Sequence, residues 1–173
     1  MTLVHTAYLG SISYYRTLLS ANQLCINKEQ IYDKKLHLNR CRIMAANGIL
    51  TLTVPCIHPP TGTPVRDVRI DNHEAWQHQH WISIRSAYKT SPFFDYLMDD
   101  IEPFYTRRYD FLIDINEDLR LWTLKALNMT TGVPVNSGFK PYYQVFAARH
   151  GFATDLSILD LICNLGPEAG EYL

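Results

Sequence analysis

The chain has little of what marks the commonest site chemistries. Its four cysteines, Cys25, Cys41, Cys56 and Cys163, form no CxxC pair, which excludes the zinc-ribbon and thioredoxin-type signatures and points to reduced thiols. No apolar run approaches the length needed to span a bilayer. The opening "MTLVHTAYLGS" lacks the basic start and long apolar stretch of a secretory signal. A cytoplasmic protein without membrane insertion is therefore expected. Formal net charge is only −1, so there is no electrostatic reason to expect nucleic acid or an anionic membrane as partner. GxGxxG, P-loop and GxSxG patterns are all missing, which disfavours dinucleotide binding, P-loop phosphate binding and serine hydrolysis. There is no internal repeat.

What remains is an ordinary globular composition, 47% apolar and 19% charged over 173 residues. That length fits one compact domain, residues 1–173, with a real hydrophobic core. Eleven tyrosines stand out. Each offers a flat apolar face and a hydroxyl, suited to a partly buried core or to stacking on a sugar or base.

Local patterns predict a mixed α/β fold. "TLVHTAYL" reads as a strand, the segment after Gly10 as a helix with Ser11 as N-cap, and "QLCIN" as a second strand, giving an N-terminal βαβ unit. "CRIMAANGILTLTVPC" is the clearest signal, a β-hairpin whose Asn47-Gly48 pair favours positive φ at both turn positions. "PVRDVRID" reads as an edge or half-exposed strand. From Asp71 the pattern becomes helical, with Asp71 and Glu74 spaced as a capping box. Ser91-Pro92 starts another helix. Leu112, Ile115, Leu119, Trp122 and Ala126 mark the longest one. "TTGVPVNSGFKP" is the turn-rich candidate linker, and Ser157 caps a last helix that Gly166-Pro167 ends. Several helices are expected to pack on the sheet.

"DNHEAWQHQHWISIRSAYK" holds His73, His78 and His80 among tryptophans. On a helix His78 and His80 point in widely different directions and cannot share an ion, and no second histidine pair supplies the remaining ligands. No metal and no cofactor is expected. Trp76, His80, Ile84 and Ala87 form one helical face, so His80 points where apolar residues point; it is either a hydrogen-bonded core residue or a catalyst. His78 shares a more polar side with Glu74 and Arg85.

In "LHLNRCRI", Asn39, Arg40 and Arg42 precede the hairpin turn. Arg40 and Arg42 are two apart, so on a strand they face one side. Paired guanidinium groups bind phosphate or carboxylate in bidentate fashion; the alternative is a solvated strand face. His5 lies in the first strand, before a helix N-terminus of the kind that favours anions.

Several segments together resemble the WbqC-like family, bacterial proteins associated with surface-polysaccharide biosynthesis of the O-antigen or lipopolysaccharide type. They are "HTAYLGSISYY", "LNRCRI" with "LTLTVPC", "VRIDNHEAWQHQHWISIRSAYKTSPFF", "IDINEDLRLWTLKALNM", "PYYQVF" and "LSILDLICNLGP". The resemblance implies a single domain, shortened between about residues 129 and 141, with His5-Thr6-Ala7 where the family has His-Gln-Pro. It brings forward His5, Asn39, Arg40, Arg42, His80, Tyr88, Lys89, Gln144, Asp160 and Asn164 as matching polar residues. The implied activity is that of an enzyme, with transferase as the class, acting on a nucleotide-activated sugar or other phosphorylated substrate. His5 and His80 would be catalytic, with Asn39, Arg40, Arg42, Tyr88, Lys89, Gln144 and Asp160 binding substrate. The alternative is a non-catalytic protein that binds a glycan intermediate or a pathway partner.

Overall fold

The computed structural model describes residues 2–132, 134–135 and 138–173. The chain runs β1 (Thr2–Val4), α1 (Ile12–Ser20), β2 (Leu24–Ile26), β3 (Arg40–Ala45), β4 (Gly48–Thr53), α2 (Trp76–Tyr88), α3 (Phe94–Thr106), α4 (Leu112–Ala126), α5 (Ala147–His150) and α6 (Ile158–Leu165). The fold class is mixed α/β, with β1 and β2 parallel across α1 and β3 and β4 an antiparallel hairpin. Among the described residues the two pairs are separate two-stranded ladders rather than one sheet. The helices and the inward face of the hairpin therefore build most of the core.

α1 starts where its cap dictates, with the Ser11 hydroxyl accepting from Tyr14 N. β1 is shorter than expected, and His5 follows it rather than lying within it. In the hairpin, Cys41 and Ile43 are buried while Arg40 and Arg42 turn outward, as a period of two requires. Register pairs Ala45 with Gly48, so the turn residues are Ala46 and Asn47. Gly48 takes the positive φ of 116°, and Asn47 is not among the residues with positive φ. The turn is thus displaced by one residue from the Asn-Gly expectation, because the buried alternation fixes the register first.

The segment expected as a strand around residues 64–71 is instead a 3-10 turn, Val65–Asp67, flanked by isolated bridges from Cys56 to Ile70 and from Arg69 to Phe111. Val65 and Val68, three apart, eclipse on such a turn and are both buried. The capping box also gives way. Asp71 N donates to Pro55 O, and the Asp71 carboxylate accepts from His73 N, so this residue belongs to the preceding turn. α2 starts at Trp76, whose indole N–H donates to the Asn72 side chain. α3 likewise starts at Phe94, two residues after Pro92.

Trp76, His80, Ile84 and Ala87 form the buried face of α2, with Glu74, His78 and Arg85 exposed. α4 is the longest helix and α6 is buried along nearly its whole length. Six of the eleven tyrosines are buried: Tyr8, Tyr15, Tyr88, Tyr105, Tyr109 and Tyr142. Among the described residues no helix is long and apolar enough to cross a membrane. The candidate linker falls partly on Val133, Asn136 and Ser137, which lie outside the described residues.

Candidate functional site

A cavity of about 460 Å³ opens where the outward face of β3 meets the loop after β1, the start of α1 and the segment before α6. Its lining includes His5, Tyr14, His37, Arg40, Arg42 and Asp155, with the hydroxyls of Ser11, Thr51 and Ser157. The walls are tied together by the backbone. Ser157 N donates to Arg42 O at 2.8 Å, Ile158 N to Gly10 O at 2.9 Å, and Ile12 N to Leu156 O at 3.0 Å.

The electrostatics are set by the two arginines. Arg40 Nη2 donates to Lys34 O at 3.1 Å and Arg42 Nη2 to Asp155 O at 3.4 Å, both backbone acceptors. Among the described residues neither guanidinium has a carboxylate partner. The Arg40 Nε is moreover buried without an acceptor. Two unneutralised planar cations on one strand face suit a phosphate or carboxylate.

His5 is held by three contacts. Its ring stacks on Tyr14 with centroids 5.2 Å apart, and the Tyr14 hydroxyl donates to the His5 carbonyl at 2.8 Å. His5 Nδ1 is 3.0 Å from the Thr6 carbonyl, which can only accept. In the neutral ring the proton is therefore on Nδ1, and Nε2 carries a lone pair. Gly10 makes the stack possible, since a Cβ there would lie 2.4 Å from Tyr14 Cδ1.

The N-terminus of α1 is not an open anion site. Ile12 N and Ser13 N reach Leu156 O and an Asp155 carboxylate oxygen, while Tyr14 N reaches the Ser11 hydroxyl. Backbone strain nevertheless concentrates here. Among the described residues four non-glycine residues have positive φ, and Leu9, His37 and Asp155 of these line the cavity. Strained positions of this kind gather at functional sites, held by the surrounding structure.

His80 does not line the cavity. It is 6% exposed and sits in a chain of buried hydrogen bonds. Its Nε2 lies 3.2 Å from the Thr53 carbonyl, so Nε2 donates and Nδ1 accepts from the Tyr8 hydroxyl at 2.8 Å. Tyr8 in turn is 2.8 Å from the Tyr105 hydroxyl. Burial pushes the His80 pKa down to about 4, with the Thr53 bond opposing the shift. A site uniting His5, Arg40 and His80 is not what the fold builds: the apolar face of α2 carries His80 into the core.

The other candidates also separate. Asn39 is buried at the entry to β3, donates to Val54 O at 2.8 Å and borders an adjoining cavity. Lys89 is exposed just beyond α2. Tyr88, Gln144 and Asp160 form a buried polar cluster. The Asp160 carboxylate accepts from Tyr142 at 2.7 Å, Tyr88 at 3.0 Å and Gln144 at 3.2 Å. Burial raises its pKa, and these three donors pull it back. Asn164 Nδ2 donates to Asp160 O at 2.8 Å within α6. This cluster ties the segment after Pro141 to α2 and α6, away from the arginines.

Sequence reasoning passed over His37, Asp155 and Ser157. Ser157 was legible only as a helix cap, and nothing local marks His37 or Asp155 as cavity residues. Among the described residues no three His, Cys, Asp or Glu side chains come together as a metal-ligand group.

The chain aligns over its whole length with an uncharacterized protein, Rv1507c, of Mycobacterium tuberculosis, at 22% identity over 227 positions and 96% of that protein. No solved structure matches it. The profile of the WbqC-like protein family matches residues 6–142. That span takes in α1, the arginine-bearing hairpin and all of α2 to α4, so on most of its length this chain belongs to the WbqC-like protein family.

Proposed function

We propose that this cavity binds the phosphate of a phosphorylated sugar and that the protein acts in bacterial surface-polysaccharide biosynthesis. One observation carries the reading: Arg40 and Arg42 converge on one cavity without a carboxylate partner among the described residues. An uncompensated pair of this kind is the charge a phosphate needs, and the neighbouring hydroxyls of Ser11 and Thr51 match those of a sugar. As an enzyme it would use His5 as general base, taking a proton from a substrate hydroxyl at Nε2 while Thr6 O holds the ring through Nδ1. Family membership supports the pathway, and the arginines support the ligand class.

A second reading, a non-catalytic binder of a glycan intermediate, is favoured by the withdrawal of His80 into the core, which leaves a cavity with fewer ionisable groups. Calorimetric titration with a hexose 1-phosphate and with the free hexose tests the ligand class. Only the phosphorylated sugar should bind. Replacing Arg40 with Ala removes charge-assisted bonds, roughly ten- to a hundredfold in affinity at about 1.5–3 kcal/mol each. Arg40→Lys should also weaken binding, because lysine keeps the charge and loses the planar fork. Equal affinity for both sugars, or unchanged affinity in both variants, would remove the assignment.

A further inference from the structure

Arg40 faces two cavities. The second, about 400 Å³, lies on the other side of it, bordered by Tyr32, Asn39, Thr53, Pro55 and Pro59. Hairpin register explains the adjacency. Arg42 pairs with Thr51, which lines the first cavity, and Arg40 pairs with Thr53, which lines the second. The two Arg positions are therefore separated by two strand residues, about 7 Å along β3. Arg40 stands at the junction.

The chemistry of the two sides differs. The first cavity presents histidines and hydroxyls. The second adds a tyrosine ring and two prolines, Tyr32, Pro55 and Pro59, to the Asn39 amide, with Lys34 and His58 among its further polar groups. The Tyr32 ring is half-buried and packs against the hydrophobic core, so it is a fixed platform. Burial pushes its hydroxyl pKa up, the Cys56 thiol adds to this, and Arg40, which lines the same cavity, pulls it back. Asn39 spends its Nδ2 on Val54 O, and its Oδ1 accepts no hydrogen bond among the described residues. A planar group against Tyr32, with an acceptor from Asn39 available to an exocyclic N–H, is how a protein holds a heteroaromatic base.

We infer that the second cavity is a nucleobase subsite, so that the ligand is a nucleoside diphosphate sugar with its diphosphate across Arg40 and its sugar beside His5. This rests on the reading of the first cavity as a sugar-phosphate site. Arg40 Nη1, which donates to no acceptor among the described residues, is the donor left over for the bridging anion.

The intact chain is titrated with inorganic pyrophosphate, a hexose 1-phosphate, and the diphosphates of adenosine, guanosine, cytidine, uridine and thymidine. At least one nucleoside diphosphate should bind tenfold or more tightly than pyrophosphate. Tyr32→Ala should abolish that advantage while leaving pyrophosphate and hexose 1-phosphate binding within twofold. Tyr32→Phe should retain the advantage, which separates a stacking role from damage to the fold. If hexose 1-phosphate binds but no nucleoside diphosphate exceeds pyrophosphate, the subsite is refuted and the sugar-phosphate reading stands. A nucleoside advantage that survives Tyr32→Ala also refutes it. Failure of every phosphorylated probe overturns both.

Discussion

Acidification should destabilise the protein through one residue, His80. Its ring accepts from Tyr8 at Nδ1 and donates to Thr53 O at Nε2, so only the neutral form satisfies both partners. The folded-state pKa is about 4, against an ordinary value of 6.5, and burial is the main cause. The sign follows. Below pH 6.5 the unfolded chain takes up this proton and the folded chain does not, so stability falls as pH drops and the loss is complete below about 4. At about 1.4 kcal/mol per pKa unit, the shift is worth roughly 3 kcal/mol in all and roughly 2.5 kcal/mol by pH 4.5.

Urea denaturation at pH 7.0 and pH 4.5 measures the loss, and a variant isolates it. Asp160 works in the opposite direction, since its raised pKa lets the folded state gain a proton as pH falls. Wild type must therefore be compared with His80→Gln, which keeps a donor toward Thr53 O and cannot titrate. The variant should be less stable at pH 7.0 by about 1–3 kcal/mol, because the Tyr8 hydroxyl loses its acceptor. The gap between the two proteins should then shrink by roughly 2.5 kcal/mol at pH 4.5. A gap that stays constant across this range would show that His80 is not held neutral in the fold.

Three further outcomes follow from the packing. Gly10→Ala should cost about 1–3 kcal/mol and weaken hexose 1-phosphate binding, since the new methyl group displaces the Tyr14 ring and with it His5; chemical denaturation and calorimetry on one preparation check both effects. Asp160→Ala should destabilise by about 2–6 kcal/mol in the same denaturation assay, because two buried tyrosine hydroxyls lose their acceptor. Among the thiols, Cys41 and Cys163 are buried with raised pKa values, and Cys56 is pushed up to about 11. Alkylation at neutral pH followed by mass spectrometry should label Cys25 first and Cys41 and Cys163 only on unfolding.

What could be read from the sequence was what short stretches decide alone. Ser11 and Ser157 were legible as caps because each hydroxyl serves a backbone N–H within its own turn. The buried face of α2 was legible because its spacing fixes it. That same spacing already placed His80 among apolar residues, and the structure follows it rather than the catalytic role drawn from family resemblance. The Asp71 capping box failed for a reason no local rule contains: Asp71 N is held by Pro55 O, across a distant loop. Residues 64–71 failed similarly, since their alternation of apolar and charged residues fits a strand as well as a 3-10 turn. Leu9 gave no warning of its positive φ, because leucine is not a residue the left-handed region favours; His37 is of an enriched type, but nothing around it singled it out.

The general rule for ligands in α/β proteins, at strand ends facing a helix N-terminus, would put an anion at the start of α1. Here that seat is already taken, and by a carboxylate. Asp155 Oδ1 accepts from Ser13 N at 2.8 Å, so the positive end of the helix is answered from within the chain. With that field answered internally and the amides of residues 12–14 committed to protein acceptors, backbone donors at the helix start are not left over for a phosphate. Attraction must come from side chains on the opposite wall, and there the hairpin supplies two forks of fixed geometry. Asp155 thereby does two things at once. Its side chain closes the helix, and its backbone carbonyl steadies Arg42 without neutralising it. Such a division leaves the guanidinium oriented with its charge uncompensated, whereas a direct ion pair with the same carboxylate would compensate it.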